Sequence, residues 1–152
     1  MKRILILIVL LTSSLSTFSY AKGIPFTEAD AYDVVTKWYQ LHDTKAPTSE
    51  FLKLLVNKDL NMLMGVSVNS KKKFKLWHAG IKLATNSVTH QIQDIKTILG
   101  EGNSFSISSC IRYYGYYGWF FSFDNQDQID WVLVPEGNQL KIKTYIVKKG
   151  CR

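Results

Sequence analysis

The sequence predicts an α+β fold in which helices come first and an antiparallel meander follows. Apolar residues recur at spacings of three and four as far as Leu83, and from about Ser87 the period changes to two as β-branched and aromatic residues rise. Turn-forming clusters at 100–103, 124–127 and 135–138 then divide the second half into strand-length pieces. This order suits helices covering one face of a curved sheet.

The first segment reads as a secretion signal. Lys2 and Arg3 make a basic start, Ile4 to Leu11 an unbroken apolar run, and Ser19, Tyr20 and Ala21 a small-residue cleavage site. The run is shorter than the roughly 18–20 residues that span hydrocarbon, so residues 1–21 are expected to be removed. Residues 22–152 remain, enough for one domain with a real core, and they are expected in the periplasm or outside the cell. Losing Lys2 and Arg3 takes the formal charge from +7 to +5. That mild excess, with export, speaks against nucleic acid as a partner, whereas an anionic envelope surface or an acidic protein stays compatible. Cys110 and Cys151 both belong to the exported part, where an oxidising compartment can join them. The alternatives are a buried thiol beside a mobile tail cysteine, or a bridge between two chains through Cys151.

Element by element, Thr27 precedes Glu28 and Asp30, an acidic first turn that suits the positive end of a helix. A helix then fits to about His42, with Phe26, Ala29, Tyr32, Val35, Trp38, Tyr39 and His42 along one stripe. Pro47 ends it, and Thr48 or Ser49 caps a short second helix carrying Phe51, Leu52, Leu54 and Leu55. Residues 61–68 read as a short strand or extended connection. Ser70 caps a third helix through Phe74, Leu76, Trp77, His78, Ile81 and Leu83. Lys71, Lys72 and Lys73 oppose its macrodipole, as a solvated face or as a contact for an anionic partner. Strands are expected at 87–98, 104–123, 128–135 and 139–148. The second is too long to be flat, and Gly115 and Gly118 are where it should bulge or bend.

The strings Trp38 to Leu55, Phe74 to Ile81, Thr89 to Ile98 and Ile129 to Val147, in this order, resemble the nuclear transport factor 2-like superfamily, closest to its polyketide-cyclase or SnoaL-like branch. The resemblance implies a cone-shaped, cystatin-like fold, three helices on a strongly curved antiparallel sheet, with a pocket between them and frequent dimerisation through the outer sheet face. That superfamily includes ketosteroid isomerase, epoxide hydrolases and scytalone dehydratase, so the fold does not fix the function. The isomerase keeps a general-base Asp in the connection that here runs from Leu60 to Val68, where this chain has no carboxylate. The dehydratase works with an Asp, two His and tyrosines.

Candidates for such acid–base chemistry are His42 and Asp43 at the end of the first helix, His78 on the third, His90 in the first long strand, and Tyr113, Tyr114, Tyr116 and Tyr117, with His42, Asp43 and His90 put first as catalytic residues. His42 and Asp43 point about 100° apart, so only one of them can look squarely into a pocket. A ligand-binding lining is assigned to Trp38, Tyr39, Trp77, His78, Arg112, Tyr114 and Trp131. Half of the aromatic run from Tyr113 to Phe123 should face the cone interior, and the outer half suggests a covered surface, such as a dimer partner. Neither HxH nor HxxxH spacing occurs, so no metal is expected. No P-loop, GxGxxG, CxxC, GxSxG or HExxH string occurs, and no cofactor is expected. The functional expectation is a binder of a small apolar or amphipathic molecule that need not catalyse. The alternatives are an acid–base lyase or isomerase, and a protein-binding module such as an envelope accessory or a toxin-immunity protein.

Overall fold

The computed structural model describes residues 25–151, so the expected signal, 1–21, lies outside the described residues. Helix α1, Glu28–Asp43, begins with a reciprocal cap: Thr27 Oγ1 accepts from the Asp30 amide, and Asp30 Oδ2 accepts from the Thr27 amide at 2.7 Å. The Thr27 hydroxyl and then its amide, both donating to that carboxylate, favour the ionised form and hold Asp30 below its ordinary range. The helix buries Ala31, Val35, Trp38, Tyr39 and Leu41. Ala29 and Tyr32, expected on the buried stripe, face solvent instead, because the true stripe starts at Ala31 and runs in steps of three and four to His42. Helix α2, Thr48–Leu54, follows Pro47 and buries Phe51. Strands β1, Asn61–Leu63, and β2, Ser67–Val68, form a small hairpin around Gly65, whose φ of 75° suits a residue without Cβ.

Helix α3, Lys71–Ala84, is capped by Ser70, whose hydroxyl accepts from the Lys73 amide. Phe74 and His78 are its buried residues, while Leu76 and Leu83 of the expected stripe point outward. Of the three lysines in the first turn, Lys71 donates to Asn57 Oδ1 at 2.8 Å and the other two are exposed. Four long strands complete the fold: β3, Thr85–Leu99; β4, Phe105–Tyr117; β5, Phe121–Glu136; and β6, Gln139–Lys149. The sheet order is β2-β1-β6-β5-β4-β3. Pairing is antiparallel except between β1 and β6, which run parallel, with Met62 opposite Tyr145. Three register shifts, two in the β3–β4 pair and one in the β5–β6 pair, bend the sheet around the helices.

One expected turn falls elsewhere. Residues 124–127 lie inside β5, opposite Tyr114, Tyr113, Arg112 and Ile111, and the hairpin turns instead at Gly118, Trp119 and Phe120, with Gly118 at φ 56°. The polar string is stable in a strand because its side chains find cross-strand partners: Asp124 takes the Arg112 guanidinium at 2.6 Å and Asp127 accepts from the Tyr113 hydroxyl at 2.7 Å. Gly115 sits where β3 presses closest. A Cβ there would stand 2.0 Å from the Ser87 carbonyl oxygen, beside the first β3 register shift.

The core gathers at the closed end of the cone around Trp38. Its ring meets Phe51 and Trp131 edge-on at centroid distances of 5.2 and 6.3 Å, and Tyr145 lies 5.4 Å away. Trp131 donates its indole N–H to Ser109 Oγ at 3.0 Å, so the one polar atom of that ring is satisfied. Cys110 and Cys151 form a disulfide, with Cα atoms 5.6 Å apart.

Candidate functional site

A cavity of about 420 Å³ lies between the helices and the concave face of the sheet. Tyr39 and His42 of α1 and Trp77 and Ile81 of α3 form one wall; Val88 and His90 of β3, Tyr113 and Tyr117 of β4, and Phe123, Asp127 and Ile129 of β5 form the other. Tyr145, Val147 and Lys149 of β6 complete it. The sheet residues alternate along their strands, as one face of a pleat requires. A groove on the outside of α1, lined by Asp30, Asp33 and Lys37, has similar volume but holds no histidine.

Two polar sets stand at this mostly apolar space. In the first, Asp43 at the last turn of α1 accepts from His90 twice: from Nδ1 at 2.6 Å and from the backbone amide at 3.1 Å. An ionised carboxylate only accepts, so the proton sits on Nδ1 and Nε2 is the ring nitrogen left free. The His42 ring stands 5.7 Å from that of His90 and 5.8 Å from that of His78. Burial, and then the charges that His90 and His78 would carry, hold His42 well below the ordinary histidine range, so it is neutral at neutral pH. In the second set, Tyr113 donates to Asp127, whose other oxygen accepts from the Gly150 amide at 3.1 Å. Burial and that hydrogen bond push Tyr113 up, and burial takes Tyr145 to about 12, so both phenols stay protonated. The sets adjoin. His90 and Tyr113 are register partners across β3 and β4, and their rings lie 6.0 Å apart at 27°.

No family model matches the sequence, and neither does any curated protein. Solved structures do match. A candidate scytalone dehydratase from Novosphingobium aromaticivorans superposes with a TM-score of 0.73 at 14% identity, over 82% of this chain and 84% of that one. A nuclear transport factor 2-like superfamily protein from Salmonella enterica serovar Typhimurium gives 0.73 at 5% identity, over 82% and 92%. A candidate dehydratase of the same family from Streptomyces avermitilis gives 0.72 at 8%, over 82% and 97%. The chain has the nuclear transport factor 2-like fold.

Within that fold the expected catalytic residues come together: Asp43 and His90 are bonded, and His42 lies beside them on the cavity wall. Of the expected lining, Tyr39 and Trp77 face the cavity. Trp38 and Trp131 do not, because they are the buried floor beneath it. His78 is buried against Phe74, with Nδ1 2.9 Å from the Thr48 hydroxyl. Arg112 and Tyr114 are on the outer face of β4, where the guanidinium pairs with Asp124 and lies over the Tyr114 ring. The parity of β4 decides this: Ile111 and Tyr113 turn inward, so their neighbours turn out. Tyr113 and Tyr117, of the tyrosines offered as candidates, face the cavity, whereas Asp127 and Tyr145 are cavity residues that sequence reasoning missed. The alternation Asp127, Ile129, Trp131 was the available signal, hidden by reading 124–127 as a turn.

The buried imidazoles give the nuclear transport factor 2-like core a pH signature. His42 and His78 are both shifted downward, chiefly by burial. Above the unfolded value near 6.5 their contribution to stability is fully present, and it is lost as pH falls toward their folded values. Each contributes a slope of at most about 1.4 kcal/mol per pH unit in that window. Urea midpoints should therefore decline from pH 6.5 downward, before carboxylates titrate, and His78→Gln should flatten the decline. A midpoint constant down to pH 5 would contradict this.

Proposed function

We propose that this cavity takes up a small apolar or amphipathic molecule with one polar group, and that the Asp43–His90 pair moves a proton on it. The observation that carries the reading is the 2.6 Å bond between Asp43 and His90 Nδ1 at the wall of an aromatic cavity. Asp43 fixes the tautomer and balances the charge His90 gains, which is what a general base requires. The reaction class is cofactor-independent lyase or isomerase chemistry. Nε2 takes a proton from a carbon next to a carbonyl, the C–H electrons form a double bond, and the imidazolium returns that proton to a departing hydroxyl, releasing water, or to another carbon. Tyr113, whose proton is committed to Asp127, offers an oxygen that accepts from a hydroxyl of the substrate. Export is part of the proposal, supported by the form of residues 1–21 and by a disulfide suited to an oxidising compartment.

Native mass spectrometry of the protein from its own cells should show a bound molecule, which is then returned to the protein in deuterated water. Wild type should exchange a carbon-bound hydrogen or release water, and His90→Gln and Asp43→Asn should slow this by about 100-fold or more while still binding. Equal rates in His90→Gln would take the pair out of the chemistry, and no exchange or water release by wild type would leave a binder without catalysis. Absence of any bound molecule, together with no uptake of apolar probes such as a naphthalene dye, would remove the cavity reading itself.

A further inference from the structure

We propose that the tip of the β4–β5 hairpin docks on a lipid surface carrying anionic headgroups. Trp119, Phe120 and Phe121 follow one another through the turn with 82%, 88% and 73% of their surface exposed. Leu83, 89% exposed, stands beside them, because the Gly118 amide donates to the Ala84 carbonyl at 3.2 Å and draws the end of α3 against the turn. Four large apolar side chains thus share one convex apex. Singly exposed apolar residues need no explanation; a contiguous group does.

The shape favours lipid over protein. A stable protein interface buries about 800 Å² per partner on a complementary surface, whereas a hairpin apex offers a narrow projection. Insertion of such a tip by roughly 5–10 Å into the boundary between headgroups and acyl chains buries these rings without a matching partner, and Trp favours that boundary. The exposed rings of Tyr114 and Tyr116 continue the apolar group a short way along β4, and beyond them the outer sheet face turns polar, with Ser106, Ser108 and the Asp130–Lys148 pair.

Charge agrees. Thr85 pairs with Tyr117 at the base of the turn; Lys45 Nζ lies 3.5 Å from the Thr85 carbonyl, and Lys82 Nζ lies 3.3 Å from the Lys45 carbonyl. Neither ammonium is in an ion pair among the described residues. The acids of this end are engaged, Asp43 by His90 and Asp124 by Arg112. Cations behind an aromatic apex are placed to meet anionic headgroups. The docking holds whatever the cavity contains, although Tyr117 and Phe123, 4.4 Å apart, line the cavity and root the same hairpin.

Protein recovered from its producing cells is mixed with vesicles of phosphatidylcholine alone or with an equal part of phosphatidylglycerol, and sedimented. Wild type should follow the anionic vesicles, less so at high salt, and the triple variant Trp119→Ser, Phe120→Ser, Phe121→Ser should bind at least about ten-fold more weakly with an unchanged melting midpoint. Brominated lipid should quench wild-type tryptophan emission, and Trp119→Phe should remove that quenching while keeping the binding. Equal sedimentation of wild type and triple variant, or no binding by either, would overturn the proposal. So would a wild-type dimer that the triple variant dissolves without any vesicle binding, which would assign the tip to a second copy.

Discussion

Trp38→Ala is expected to cost about 3–5 kcal/mol and to lower the thermal midpoint by roughly 10–20 °C. The indole is fully buried and touches rings from four other elements: Phe51 of α2, Phe74 of α3, Trp131 of β5 and Tyr145 of β6. It is the piece against which helices and sheet meet. Neighbours held by separate elements cannot all collapse into the space an alanine leaves, which puts the loss at the upper end for large-to-small changes. Trp38→Phe keeps much of the volume and should retain more than half of the lost stability. His42 lies 5.2 Å from the indole, so the alanine variant should also loosen the cavity wall. Urea and thermal unfolding of the three proteins check this, and an alanine variant within about 1 kcal/mol of wild type would show that the packing centre is elsewhere.

Removing the disulfide is the second large effect. Cys110 and Cys151 are 41 residues apart, and a loop of that size restricts the unfolded chain by about 4 kcal/mol in the entropic account. The bond also ties down the segment whose Gly150 amide donates to Asp127 and to the Gln126 carbonyl. Reduction, or the pair Cys110→Ser and Cys151→Ser, should thus lower the thermal midpoint by roughly 10 °C or more and leave Asp127 with one partner fewer. Hydrogen exchange should then quicken at Gly150 before it quickens in β4. A midpoint that moves by less than about 2 °C on reduction would mean that the strands alone hold the tail in place.

Much of this architecture is legible in the chain because local signals agree with the tertiary result. Thr27 with Asp30, Ser70, Pro47 and Gly137 mark their boundaries by chemistry that acts within a few residues. Where the reading fails, the deciding partner is far away. The string 124–127 has the composition of a turn, yet it is a strand because Arg112 and Tyr113 meet it across the sheet. Both parities of β4 near Tyr113 are aromatic, so hydrophobicity could not tell that Tyr113 faces in and Tyr114 out. For the site, the residue types of Asp43, His42 and His90 pointed to proton chemistry, but the 47-residue span that brings Asp43 to His90 is set by the docking of α1 on β3. Trp38 and Trp131 have the right chemistry for a lining and too much depth, which periodicity does not measure.

Strand β6 follows β5 in the chain, yet it lies inside the sheet, with β1 on one side and β5 on the other, and Leu55 bridges to its Ile142. Without it β1 has only the short β2 to pair with, and the floor lacks Tyr145. The β3–β5 meander can form on its own pairings, but the elements before it join the same sheet only through β6. Closure of the first half is thus a long-range event that depends on the second.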